Sequence, residues 1–343
     1  MSAGTPVLSH GADMRRREFI ILVAGVAAAS PLAALAQQPV RLRRISVLMG
    51  YAERDLEAKA WISAFMEGLK ELGWMDGSNV RIDHRWATGD VAQMRSYAAE
   101  LVGLKPDVIL AGSTPALAAV RQETRSVPIV FVNVADPIGQ GFILSLAHPE
   151  SNITGFTSLE FSMGGKWIQA LKEISPSLSR IAVIFDPETA PYSSQFLRSI
   201  ETAAASFAVT SIPTPVHSPA DIDRAIDAFA HEPNGAIVVV PSAFATIHRD
   251  LIIAQVARYK LPAVYGFSYY ATSGGLISYG IDVRDMYRRA ASYIDRILRG
   301  AKPGELPVQA PNKFELVINL KAAKALGLTI PESFLLRADE VIE

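Results

Sequence analysis

The sequence predicts an α/β protein built as two doubly wound, parallel-sheet lobes joined by a hinge of several strands. Three observations carry this. Short apolar runs bounded by Gly, Pro or Asp alternate with longer stretches of helical period between residues 45 and 266, the order that produces parallel sheets covered by helices. The alternation restarts after a strand at 153–159, so two similar units follow one another without a strict sequence repeat. The tail then breaks the rhythm, and a tail that completes both sheets carries the chain between the lobes more than once. The expected division is an export signal over 1–36, lobe 1 over 44–157 with about 283–312, and lobe 2 over 158–282 with about 313–343.

In order, residues 45–49 read as a strand ending at Gly50 and Tyr51. The stretch 58–72 places Trp61, Phe65, Leu69 and Leu72 on one helical face, and Gly73 closes that helix. Residues 80–86 alternate as a strand, 91–104 form a helix, and 107–111 form a strand that leads through Gly112-Ser113-Thr114-Pro115 into a helix over 116–124. The run Ile129-Val130-Phe131-Val132 is a strand buried on both faces, opening at Asn133 into a loop with Asp136, Pro137, Gly139 and Gly141. In the second unit, helices at 166–174, 194–207, 221–230 and 247–259 separate strands at 181–185, 209–213, 236–240 and 263–266. The tail supplies a strand at 276–280, an amphipathic helix at 286–299, a Gly- and Pro-rich connector at 300–307, a strand at 314–319 and a helix at 320–326.

The composition is that of a globular chain: of 343 residues, half are hydrophobic and a fifth charged. With 33 basic and 34 acidic residues, the net charge of -1 gives no surface for a polyanion, so nucleic acid is not an expected partner. The absence of cysteine excludes disulfides, thiolate metal sites, a cysteine nucleophile and lipid attachment at an N-terminal cysteine. The N-terminus has the order of a bacterial export signal. Arg15-Arg16-Arg17 precedes an apolar run over 20–29, and Ala34-Leu35-Ala36 offers a cleavage site before Gln37. Arg16-Arg17-Glu18-Phe19-Ile20 also looks like the twin-arginine variant, and residues 1–13 precede an alternative start at Met14. The competing reading, an uncleaved anchor, requires a longer apolar run, and this one is broken by Gly25 and Pro31. The mature chain is expected to be a soluble, monomeric periplasmic protein.

In an open parallel sheet, ligands sit beyond the carboxyl ends of the strands. In lobe 1 that places Gly50, Tyr51, Ser113, Thr114, Asn133 and Asp136 as candidates. A Gly, two hydroxyls and a Pro describe a helix N-terminus able to take a carboxylate, and equally one capped by its own Ser113 or Thr114. Asn133 and Asp136 stand either as ligand contacts or as parts of a turn opened by Asp136-Pro137. Lobe 2 offers Asp186, Ser242, Tyr265, Ser268 and Tyr279. Asp186 either holds an ammonium or caps the next helix, and tyrosines at strand ends serve as stacking surfaces or as packing.

Enzymatic signatures are lacking. Gly165-Lys166 is no phosphate loop, because Glu160 stands for the leading Gly and Trp167 for the Ser or Thr. Gly139-Gln140-Gly141 has Leu144 where a dinucleotide fingerprint needs its third glycine. The six histidines are scattered, and there is no G-x-S-x-G elbow. No cofactor or metal is expected.

Several stretches resemble one known family: 131–139 (FVNVADPIG), His148-Pro149 with Asn152-Ile153-Thr154-Gly155, 261–266 (LPAVYG), 274–280 (GGLISYG) and the tail 313–321 (KFELVINLK). Together with the export signal and the crossing tail, they resemble the substrate-binding proteins of ATP-binding cassette importers. The resemblance is narrower to the group with tryptophan and tyrosine binders and the type I periplasmic binding fold. It implies a small-molecule ligand closed between the lobes and handed to a membrane permease. It also implies Ser113 and Thr114 at a carboxylate, Asp136 and Asp186 at an amine, and Asn133 as an added hydrogen bond. Phe185-Asp186-Pro187-Glu188 departs from the Asn-Pro turn of the family pattern, which leaves the solute open among amino acids, aromatic acids and other small carboxylates. A periplasmic sensor for a signalling partner and an exported enzyme on the same fold remain the alternatives.

Overall fold

The computed structural model describes residues 1, 2, 4, 42–158, 161–311 and 313–343. The chain divides into Met1–Leu42 and Arg43–Glu343. Of the residues 1–36 read as the export signal, all but 1, 2 and 4 lie outside the described ones.

Five parallel strands form the first sheet: β1 (Arg43–Met49), β2 (Val80–Trp86), β3 (Val108–Gly112), β4 (Ile129–Val134) and β5 (Ile153–Thr157), in the spatial order β2-β1-β3-β4-β5. Every residue of β3, β4 and β5 is buried, as expected of strands covered by helices on both faces. Helix α1 (Leu56–Glu71) starts where the Asp55 carboxylate accepts the Ala58 amide at 2.9 Å and buries Trp61, Phe65 and Leu69. Helices α2 (Val91–Gly103) and α3 (Thr114–Glu123) complete the wrapping.

The second sheet has seven strands in the order β12-β11-β10-β9-β8-β6-β7. They are β6 (Arg180–Phe185), β7 (Thr210–Pro215), β8 (Gly235–Val239), β9 (Ala263–Tyr265), β10 (Ile277–Ile281), β11 (Phe314–Asn319) and β12 (Glu340–Ile342). Strand β7 carries Pro213 and Pro215 and accordingly sits at the edge, where missing N–H groups cost no ladder bond. Between the strands run α4 (Met163–Ile174), α5 (Ser193–Ser206), α6 (Pro219–Ala230), α7 (Ala243–Ile247), α8 (Arg249–Arg258) and α9 (Ser268–Thr272). The tail adds α10 (Val283–Leu298), α11 (Leu320–Leu326) and α12 (Glu332–Leu335).

The α/β class with two parallel-dominated sheets is as expected, and four details differ from the sequence reading. The helix expected over 247–259 is two helices meeting at His248. The aromatic loop after β9 closes into α9, and the tail adds α12 and β12 beyond its expected helix. Strand β11 runs antiparallel to β10, because it enters the second sheet from the opposite end.

The chain crosses between the sheets three times. It leaves the first after β5, returns with α10, and leaves again through residues 299–313 to β11. Helix α10 packs against α1 so closely that a Cβ on Gly68 would lie 2.8 Å from the Arg288 carbonyl oxygen. The last crossing runs beside β5: the Gln309 amide donates to Gly155 O at 2.9 Å, and Gln309 O accepts from Thr157 N at 3.0 Å. The last crossing is thus backbone-paired to the end of β5.

Candidate functional site

The carboxyl ends of both sheets converge on a small cavity. From the first sheet it is lined by Tyr51 after β1, Ser113, Thr114 and Pro115 between β3 and α3, and Asn133 in β4. From the second come Thr189 and Tyr192 after β6, Pro241, Ser242 and Ala243 after β8, and Phe267 after β9. The space left has a volume of about 10 Å³, room for about one water molecule.

Local backbone explains why these side chains meet. Ser113 caps α3, its Oγ accepting the Ala116 amide at 3.3 Å, and it does so at φ 151°, a region that side chains rarely occupy. The register of β4 against β5 shifts between Val132 and Val134, where Asn133 has φ 59°, and Asp136 follows at φ 42°. Such positions cost about 1–3 kcal/mol each and concentrate where a binding surface fixes the backbone. Gly50 is required next to them, because a Cβ there would lie 2.3 Å from Ser113 Oγ.

The polar groups are buried and hydrogen-bonded to one another. Asn133 Nδ2 donates to the Tyr51 hydroxyl at 2.8 Å, Ala135 N donates to Thr114 Oγ1 at 3.1 Å, and Ala245 N donates to Ser242 Oγ at 3.0 Å. Tyr192 donates its hydroxyl to Pro241 O at 2.7 Å. Burial pushes the Tyr51 phenol well above its ordinary pKa despite the opposing Asn133 hydrogen bond. Tyr192 is raised by burial first, then by Tyr51 and Asp186. Both remain protonated at any physiological pH.

Three contacts outside the cavity tie the sheets' helices and loops together. Arg249 of α8 donates through Nη1 to Asp55 at the start of α1 and, at 3.1 Å, to Thr246 O. Burial opposes the Arg249 charge, and the Asp55 hydrogen bond and charge outweigh it, raising its pKa. Beside this pair Trp61 of α1 lies 5.8 Å from the Tyr269 ring. On another side, Gln195 of α5 donates to the Asp136 carboxylate.

The sequence-derived candidates therefore separate into two groups. Tyr51, Ser113, Thr114, Asn133 and Ser242 line one cavity, with Gly50 behind Ser113. Asp136 instead borders a neighbouring hollow with Ile138, Leu146 and Phe161, and accepts the Gly139 amide at 2.9 Å. Asp186 spends its oxygens on its own turn, accepting Thr189 N at 2.9 Å, the Thr189 hydroxyl at 2.5 Å and Glu188 N at 3.2 Å. Tyr265 stacks on Tyr270 with centroids 4.7 Å apart inside the core, and Ser268 opens α9 away from the cavity wall. Tyr279 belongs to a surface groove of about 270 Å³ between α4, β11 and α12, with Lys166 5.4 Å above its ring. That groove is larger than the cavity, but it lies on one sheet alone and away from the strand ends. Sequence reasoning missed Thr189, Tyr192 and Ala243. Only the Asp186-Pro187 turn, which puts the residues after it at a strand end, could have signalled Thr189. Among the described residues no group of three or more His, Asp or Glu is placed to hold a metal.

Residues 55–342 match the family described as ABC transporter substrate binding protein. The chain belongs to that family. A tyrosine-binding protein of Clostridioides difficile (strain R20291) is 27% identical over 285 residues, covering 83% of this chain and 80% of that protein. A conserved domain protein from Vibrio cholerae superposes with a TM-score of 0.81 at 29% identity, over 88% of this chain and 100% of the other. An ABC domain from Streptococcus pneumoniae, solved with L-Trp, gives 0.79 at 25% identity over 88% and 99%. The fold is the type I periplasmic binding fold, and the Clostridioides and Streptococcus relatives are described by the tyrosine and the L-Trp that they bind.

Proposed function

We propose that the chain is the periplasmic solute receptor of an ATP-binding cassette importer. In this reading residues 44–157 with about 283–312 form one lobe, and 158–282 with about 313–343 the other. The lobes close over a small carboxylate, with an aromatic amino acid such as the tyrosine or tryptophan of the relatives as the first class to test, and deliver it to a membrane permease. The observation that carries the reading is the cavity itself, whose wall is drawn from the strand ends of both sheets.

Closure excludes water, and hydrogen bonds from Ser113, Thr114 and Asn133 gain strength in the drier surroundings. A ligand moves the open–closed balance only by its difference in affinity for the two states. Here the space left between side chains that include Tyr51, Tyr192 and Phe267 is only about 10 Å³, whereas small-molecule sites run to several hundred Å³. A bound solute therefore requires these side chains to move aside while the lobes close, with the backbone pairing of Gln309 to the end of β5 as the hinge.

A thermal-shift screen over amino acids, aromatic acids and short carboxylates tests this. At a hundredfold excess over Kd a true ligand adds about 2.7 kcal/mol, which raises Tm by about 5 °C for a chain of this size. A panel in which no member moves Tm contradicts the receptor reading.

A further inference from the structure

We propose that Phe267 is the steric gate of the cavity: its ring fills the place of the solute's ring in the empty site and is displaced on binding, so that Phe267 sets the affinity for aromatic solutes. This rests on the solute-receptor reading and deepens it.

A space of about 10 Å³ cannot hold a solute, so part of the wall must yield. The wall carries three aromatic rings, Tyr51, Tyr192 and Phe267, and they are held with different firmness. Tyr51 accepts from Asn133 Nδ2 at 2.8 Å and meets the Trp61 ring edge-on at 5.0 Å. Tyr192 donates to Pro241 O at 2.7 Å. Both of these hydrogen bonds are buried, so displacing either ring strands a buried polar group, which is costly. Phe267 has no polar atom in its side chain. Its ring stacks on Tyr269, with centroids 5.3 Å apart and planes 19° from parallel. One ring stack is worth less than a buried hydrogen bond whose partner is left unsatisfied. Phe267 is therefore the ring that gives way.

Its surroundings let the ring turn while the backbone stays. Gly266 packs so tightly that a Cβ would lie 2.4 Å from Pro241 Cγ, and Phe267 O accepts the Tyr270 amide at 3.1 Å. The Tyr269 hydroxyl is hydrogen-bonded to that of Thr246 at 2.9 Å, which holds the second ring of the stack in place. Separation of the lobes uncovers Phe267, because it lines the space between them, and an uncovered side chain changes rotamer readily. Once Phe267 turns away, the face of Tyr269 that it covered is open to the cavity. A solute ring stacks there in its place, exchanging one aromatic contact for another.

The test titrates L-tyrosine and L-tryptophan by isothermal calorimetry into wild type, Phe267→Ala and Tyr192→Phe, each as the full-length protein. Phe267→Ala should bind the solute about fivefold more tightly than wild type, the equivalent of one ring stack that no longer has to be broken, while Tyr192→Phe gains nothing. Phe267→Leu keeps apolar bulk without a ring, which covers the case of an alanine variant that fails to fold, and should shift affinity in the same direction. Unchanged or weaker binding in the Phe267 variants makes the residue a bystander or a wall that the solute needs; either result overturns the inference and leaves the receptor reading standing. A gain in Tyr192→Phe with none at Phe267 names Tyr192 as the ring that yields and overturns it equally. No heat from either solute with any of the proteins overturns the aromatic-solute reading together with this inference.

Discussion

Asp55→Asn should lower solute affinity by about a hundredfold while the protein still folds, the loss of roughly 3 kcal/mol expected when a buried ion pair is left with one member. Asp55 does two things with two oxygens: Oδ1 caps α1 through the Ala58 amide, and Oδ2 takes the Arg249 guanidinium. Asparagine caps a helix as well as aspartate does, so the helix start survives. What is lost is the counter-charge to Arg249, whose side chain is 12% exposed against 7% for Asp55. Separation of the lobes lets Arg249 hydrate, so the penalty falls on the closed state alone. Calorimetry should show the weaker binding, while urea unfolding shows a much smaller change. Adding Arg249→Met removes the orphaned charge and should restore part of the affinity. Unchanged affinity in Asp55→Asn would mean that the pair takes no part in closure.

The largest effect on folding is expected at Gly280. A Cβ there would stand 1.6 Å from the Gly266 carbonyl oxygen and 2.6 Å from its carbon. Both are backbone atoms, where β9 and β10 run side by side, so no rotamer relieves the overlap. Gly280→Ala must part these strands or shift the aromatic segment behind them, including the Trp167 indole that donates to Tyr279 O at 2.8 Å. A cost of about 3 kcal/mol or more follows, lowering Tm by roughly 6 °C or more. Gly103→Ala is the control: it ends α2 with nothing within 4 Å of the added carbon, and alanine is favoured there by about 0.5–1 kcal/mol. A calorimetric scan in which Gly280→Ala matches wild type would contradict the close strand approach.

The two sheets were legible because strand and helix alternate so regularly, and the strand-end rule found Tyr51, Ser113, Thr114, Asn133 and Ser242 without any knowledge of the partner lobe. The rule places backbone and says little about side chains. Asp186 sits at a strand end, yet its short side chain reaches its own Thr189 before anything else, which is the local competition expected of aspartate in a turn. Tyr265 also sits at a strand end, but it stacks inside the core, and Tyr279 lies in the middle of β10 and faces an outer groove. The antiparallel β11 was hidden because a strand's direction depends on how the chain re-enters the sheet, which the residues 314–319 do not encode.

The most direct test of the cavity as the solute site is a calorimetric titration of Gly50→Ala and Lys166→Ala beside wild type. The titrant is whichever of L-tyrosine and L-tryptophan raises Tm more. In Gly50→Ala the new methyl group displaces Ser113 Oγ, 2.3 Å from its position, from both the cavity and its cap on α3, and binding should fall at least tenfold, or about 1.4 kcal/mol. Lys166→Ala alters only the larger groove on the second sheet and should bind as wild type does. Binding lost in Lys166→Ala and kept in Gly50→Ala would place the solute in that groove and contradict the account.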